Sequence, residues 1–191
     1  MRMRNSSKSY GAVAIALHWI VVLVVLGAWF TGRLGDALPR DSHELGLFFH
    51  ISLGLALFSI ALARFGWRIA DPPPAPEPSK FGGKVGSKLG TWAGRASELV
   101  HLAIYALMFA IPVFGIMTQL ARGYPLPVFG VLDIPSPWTG DRAFTHDMKE
   151  LHELLANLLM VLIGLHAGAA LVHHYVLHDR TLLRMVPGAQ S

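Results

Sequence analysis

The chain contains no cysteine, and only 15% of its 191 residues are charged. The first absence excludes disulfides, thiolate zinc sites, iron–sulfur clusters, thiolate-ligated haem and the C-x-x-C-H attachment of c-type haem. The second, with 53% hydrophobic residues and a mean hydropathy of +0.46, excludes an ordinary soluble domain and predicts a membrane protein. A formal charge of +4 and a pI near 9.7 do not indicate a nucleic-acid partner, because the basic residues are scattered over short segments between apolar runs. Ten histidines remain to carry chemistry.

Four apolar stretches approach the roughly 20 residues a helix needs to cross the hydrocarbon of a bilayer. They are Ala12–Phe30, Leu45–Phe65, Leu99–Leu120 and Leu151–Leu177. The expectation is an all-α integral membrane protein, a four-transmembrane-helix bundle forming a single domain over residues 1–191. Arg2, Arg4 and Lys8 precede the first stretch as they would a signal peptide. Its core is long, however, and no small-x-small pattern follows Trp29-Phe30-Thr31-Gly32, so it reads as a retained helix.

Lys and Arg favour the cytoplasmic side of a membrane. With the N-terminus inside, that side receives Arg2, Arg4, Lys8, Arg64, Arg68, Lys80, Lys84, Lys88, Arg95, Arg180 and Arg184. The opposite side keeps Arg33, Arg40, Arg122, Arg142 and Lys149 among a larger number of acidic residues, which predicts both termini in the cytoplasm. Between the second and third stretches, Asp71-Pro72-Pro73-Pro74-Ala75-Pro76-Glu77-Pro78 reads as a stiff polyproline spacer. Lys80 to Arg95, with Phe81, Leu89 and Trp92, reads either as a solvated loop or as a segment lying on anionic lipid. Leu120 to Lys149 reads as a long proline-punctuated connection.

An ionisable residue inside a span is by default a functional candidate. His18 and His166 fall at similar depths on the cytoplasmic side of the first and fourth helices. His50 and His152 fall near the periplasmic starts of the second and fourth. His152 and His166 are 14 residues apart, which returns to about the same helix face roughly 21 Å along the axis. Two imidazoles from different helices can fill both axial positions of an iron porphyrin, so without thiols the economical reading is two bis-histidine b-type haems. Two alternatives stay open: histidines that only hydrogen-bond neighbouring helices, and zinc or copper sites needing further ligands. Gly46, Gly54, Ala14, Gly164 and Ala170 lie near these histidines, either making room for a porphyrin or allowing close helix packing. His101 competes with His18 as a ligand or takes an interfacial or quinone-facing role. His173, seven residues past His166, lies on about the same face and could touch a substrate. His174 and His178 near the last helix end, and His43 and His146 in loops, read as solvated or dipole-facing residues.

These residues resemble the bacterial cytochrome b561 family, and within it the branch of superoxide:ubiquinone oxidoreductases. The likeness runs through Leu17-His18-Trp19, His50 with Gly54, His101-Leu102 with Tyr105 and Pro112, and Arg122-Gly123 with Phe129-Gly130. It is most specific from Lys149 through His152-Glu153 and Ala156-Asn157-Leu158, then in Gly164-Leu165-His166-Ala167, His173-His174-Tyr175 and Thr181-Leu182-Leu183-Arg184-Met185. The resemblance implies that His18 and His166 ligate a cytoplasmic-side haem, that His50 and His152 ligate a periplasmic-side haem, and that His173 meets ubiquinone. It further implies oxidation of superoxide to dioxygen at the periplasmic face of the bacterial inner membrane. Electrons then pass through the two haems to ubiquinone, with Lys149, and more weakly Arg122, steering the anion. The alternative is a haem-bearing membrane subunit linking a separate dehydrogenase or hydrogenase to quinone. A haem-free interaction or transport protein is a third possibility.

Overall fold

The computed structural model describes residues 2–7, 9–35, 39–75 and 83–189. Four long helices dominate it: α1 (Ala12–Gly35), α2 (Arg40–Ala70), α3 (Gly83–Ala121) and α4 (Arg142–Tyr175). Each contains a stretch long and apolar enough to cross a membrane. In lipid every backbone polar group must be satisfied within the segment, which a continuous helix does. Their outward faces carry exposed Leu23, Leu62, Leu102 and Val161, as contact with acyl chains requires and contact with water would not favour. The all-α expectation holds with one small addition, an antiparallel hairpin of β1 (Leu126–Val128) and β2 (Leu132–Ile134). Phe129 and Gly130 make its turn at positive φ, 53° and 71°, a geometry glycine adopts freely and phenylalanine does not. A single 3₁₀ turn, Leu183–Met185, follows α4.

All four helices extend past the start or end of the apolar stretches that announce them, although α4 stops at Tyr175, short of the expected Leu177. α3 begins at Gly83, so residues 83–95 are helical rather than loop, with Trp92 and Arg95 exposed on that extension. α4 begins at Arg142, which places His146 and Lys149 on a helix and corrects the loop reading of both. His43 is likewise helical, in the first turns of α2. These extensions are polar, and so a search for apolar runs passes over them. The start of α4 did carry a signal: Asp141 accepts the Phe144 N–H at 3.0 Å as an N-cap. Pro72 to Ala75 form neither helix nor strand, as the spacer reading expects. Lys8, Asp36, Pro76, Glu77, Pro78, Lys80 and Phe81 lie outside the described residues.

Contacts group the chain into two compact units, and every long helix contributes to both. The first comprises Met1–His18, Arg64–Ala106 and Met160–Ser191. Here the segment before α1 folds back on the helix: Ala12 N–H donates to the Arg2 carbonyl at 2.9 Å and Gly11 N–H to Asn5 Oδ1 at 2.7 Å. Asn5 also donates its N–H to buried Asp71 Oδ2 at 2.8 Å, tying that segment to the end of α2. The second unit comprises Trp19–Ala63 and Leu107–Leu159. Its core is Val21, Val25, Leu57, Ala61, Leu107, Ile111 and Leu159.

Candidate functional site

In the second unit, His50 of α2 and His152 of α4 face each other with ring centroids 5.8 Å apart and planes crossed at 84°. His50 Nδ1–H donates to the Ala28 carbonyl on α1 at 2.9 Å, and His152 Nδ1–H donates to the Ile111 carbonyl on α3, also at 2.9 Å. A carbonyl can only accept, so each ring carries its proton on Nδ1 and leaves the Nε2 lone pair for a metal. The residue four positions after each carbonyl is a glycine. A Cβ at Gly32 would sit 2.9 Å from His50 Cε1, and one at Gly115 would sit 3.1 Å from His152 Cε1. Two helices thus repeat one device, a carbonyl to orient the imidazole and, one turn on, a bare glycine to let it in.

In the first unit, His18 of α1 and His166 of α4 have centroids 6.3 Å apart and planes at 71°. His101 of α3 is closer to His166, at 5.0 Å, and its Nδ1–H donates to the Ser97 carbonyl at 2.6 Å. Two metal–imidazole bonds of about 2 Å laid end to end put ring centroids roughly 6 Å apart. That spacing suits His50–His152 and His18–His166, whereas His101–His166 is too tight to admit an ion between the rings. Among the described residues no cluster of three or more His, Asp or Glu has the geometry of a metal site, which is unfavourable to the zinc and copper alternatives.

Imidazole donors at the right separation and glycine cradles filled by the rings fit a b-type haem, and both units also hold buried polar atoms without a described hydrogen-bond partner. Those atoms include Trp29 Nε1 and Ser52 Oγ in the second unit and Trp67 Nε1 in the first. Gly54 and Gly164 pack against nothing, since a Cβ on either would have no neighbour within 4 Å. This removes the close-packing explanation for those two.

His173, in the last turn of α4, donates Nδ1–H to Asp179 Oδ2 at 2.5 Å. Asp179 is buried and also accepts the Thr181 N–H at 2.8 Å. Burial pushes its carboxyl up, but the hydrogen bonds from His173 and Thr181 outweigh that and hold it below the usual carboxylate range. Lys149 pairs with Glu153 at 3.4 Å on the exposed face of α4, where Asp147 and Glu150 also lie. Arg122 follows α3 directly, in a turn closed by the Gly123 N–H donating to the Leu120 carbonyl at 2.9 Å. No described hydrogen bond or ion pair joins Lys149 or Arg122 to the His50–His152 pair. Gly32, Gly115, Arg64 and Asp179 were missed from sequence as site residues. The first two had a weak signal in glycines facing histidines at similar depth on neighbouring helices.

Membrane helices that hold imidazoles in facing pairs, the outer ring nitrogens of one pair tied to backbone carbonyls, have the architecture of transmembrane b-type cytochromes. The chain matches the prokaryotic cytochrome b561 family over residues 9–188, and it belongs to that family. It is 36% identical over 182 residues to the "Probable superoxide oxidase CybB" of Yersinia pestis, covering 94% of this chain and 97% of that one. It is 34% identical over 197 residues to "Cytochrome b561 homolog 2" of Escherichia coli K12, covering 100% and 98%. With "Cytochrome b561 homolog 1" of the same organism it shares 30% over 184 residues, covering 93% and 97%. The protein is therefore an electron-transfer membrane protein of the oxidoreductase type, and its family implies b-type haem.

Proposed function

We propose that the chain is a superoxide:ubiquinone oxidoreductase of the bacterial inner membrane, a single di-haem domain with both termini in the cytoplasm. Two superoxide ions would be oxidised to dioxygen on the periplasmic side while one ubiquinone takes two electrons and two protons to become ubiquinol. The observation that carries this reading is the presence of two separate imidazole pairs, each at a spacing suited to one iron. Likeness to a protein named as a probable superoxide oxidase supports the choice of donor.

Bound haem supplies the one-electron chemistry, cycling between ferric and ferrous iron. The chain's own residues do the rest. His50 and His152, each oriented by a carbonyl, would hold the periplasmic-side haem, and His18 and His166 would hold the cytoplasmic-side haem. His173, backed by Asp179, lies where a quinone oxygen could receive a proton. Lys149 and Arg122 supply positive charge toward an anionic substrate. Glu153 pairs with Lys149 and offsets its charge locally. That offset favours the second reading, a haem-bearing subunit that accepts electrons from a partner dehydrogenase or hydrogenase.

The test uses the purified haem-loaded chain in liposomes containing oxidised ubiquinone, with an enzymatic superoxide source. Haem reduction followed by ubiquinol formation, both abolished by superoxide dismutase, is the expected result. Haem reduction no faster than in a haem-free control would reject the enzyme reading in favour of the subunit.

A further inference from the structure

The two histidine pairs differ on the side of the ring away from the metal position, and the difference is a single arginine. At the His50–His152 pair both Nδ1 atoms face carbonyl oxygens. At the other pair, Arg64 Nη1 lies 3.0 Å from His18 Nδ1. Arginine has only donors, so the outer nitrogen of His18 meets a fixed cation where those of His50 and His152 meet carbonyl oxygens. The guanidinium is aimed by Tyr105, whose oxygen accepts from Arg64 Nε at 3.0 Å and over whose ring it also sits, 5.8 Å from the centroid. Arg64 belongs to α2, His18 to α1 and Tyr105 to α3, so three helices converge on this contact. Arg64 lies six residues before the end of the apolar α2 segment Ser42–Ala70.

Resting on the bis-histidine reading above, we infer that Arg64 is a positioning residue that sets the redox asymmetry between the two haems. Its charge is permanent, and ferric iron carries one more positive charge than ferrous iron. A cation held against one axial imidazole therefore disfavours the oxidised state of that haem alone, in surroundings of low dielectric where the effect is weakly screened. The haem of His18 and His166 is thereby made the better electron acceptor of the two, which draws electrons toward the side where His173 lies. His101, 5.0 Å from His166, is the other titratable group at this pair, and Arg68 stacks on the same Tyr105 ring at 5.9 Å. Neither donates to a ligand in a described hydrogen bond.

The experiment is a potentiometric titration of the purified full chain, followed by its visible spectrum, comparing wild type with Arg64→Gln and Arg64→Lys. Arg64→Gln is expected to lower one midpoint so that, at the wild-type midpoint potential, the ferrous-to-ferric ratio of that haem falls at least tenfold, about 59 mV for one electron. The second midpoint stays in place. Arg64→Lys, which keeps the charge, recovers most of the shift. The inference is overturned if Arg64→Gln moves neither midpoint or both equally, or if Arg64→Lys shifts the midpoint as far as Gln does. Failure of the underlying ligand reading has a different signature: wild-type protein holding one haem, or His18→Ala retaining two.

Discussion

Gly32 and Gly115 are the residues on which the His50–His152 pair most narrowly depends, because each leaves room for nothing but hydrogen beside an imidazole. Their contacts with Cε1, at 2.9 and 3.1 Å for an added Cβ, are with rings held by hydrogen bonds at 2.9 Å, so neither ring can retreat without losing its carbonyl. Overpacking of this kind costs about 1–3 kcal/mol. Gly115→Ala is therefore expected to lower or abolish occupancy of that haem while the other remains, read as haem per polypeptide and as loss of one of two reduction steps. Gly54→Ala, in open space, should leave haem content unchanged and serves as the control. Asp179 is the second residue-scale case. Its carboxyl is held below the ordinary value near 4, so its hydrogen bonds to His173 and Thr181 contribute stability above that pH and lose it as pH falls through the depressed value. At neutral pH the carboxylate is charged and orients His173. Asp179→Asn is expected to slow ubiquinol formation roughly tenfold or more while superoxide-driven haem reduction keeps its rate, a split that stopped-flow spectroscopy resolves. Equal slowing of both steps would place Asp179 outside proton delivery.

At the scale of the element, the four helices were legible because a span must be apolar along its whole length, and Val21, Leu57, Leu107 and Leu159 announce themselves in such runs. What could not be read were the polar ends. The first turns of α3 and α4 continue a helix past the apolar run, where composition is no different from that of a loop and only the Asp141 cap marks the start of α4. The histidines were legible in the same way, from depth and face along each helix. Their partners were not, because Gly32, Ala28, Ile111 and Arg64 act across helices, and a single sequence does not state which helices are neighbours. The face of α4 that carries Lys149 is where element and function meet. Lys149 and Glu153 are one turn apart and half-exposed, a geometry worth a few tenths of a kcal/mol at most to the helix. The Glu153 carboxylate also repels an approaching anion. Glu153→Gln should speed superoxide-driven haem reduction severalfold at low ionic strength, with the gain shrinking as salt is added, and Lys149→Glu should slow it. A salt-independent response in both variants would exclude steering by this face.

For the molecule as a whole, the consequential feature is that each histidine pair is complete within one compact unit. His50, His152 and the four residues that cradle them, Ala28, Gly32, Ile111 and Gly115, all belong to the second unit; His18, His166, Arg64 and Tyr105 all belong to the first. Among the described hydrogen bonds, none that orients one pair comes from the other's unit. A cofactor bound by the native state stabilises whatever structure surrounds it, by an amount that grows with the logarithm of its concentration over its dissociation constant. Because neither pair draws on the other's unit, loss of one haem should loosen one unit and leave the coordination of the other intact. His50→Ala is thus expected to yield protein with one haem per chain, retaining the midpoint and low-spin spectrum that belong to the His18–His166 haem. Conversely, His18→Ala should retain the haem of His50 and His152. Haem quantification after purification, paired with reduced-minus-oxidised spectra, measures both. If either substitution strips both haems from folded chain, the pairs are cooperative, and the assignment of each to a self-sufficient unit does not hold.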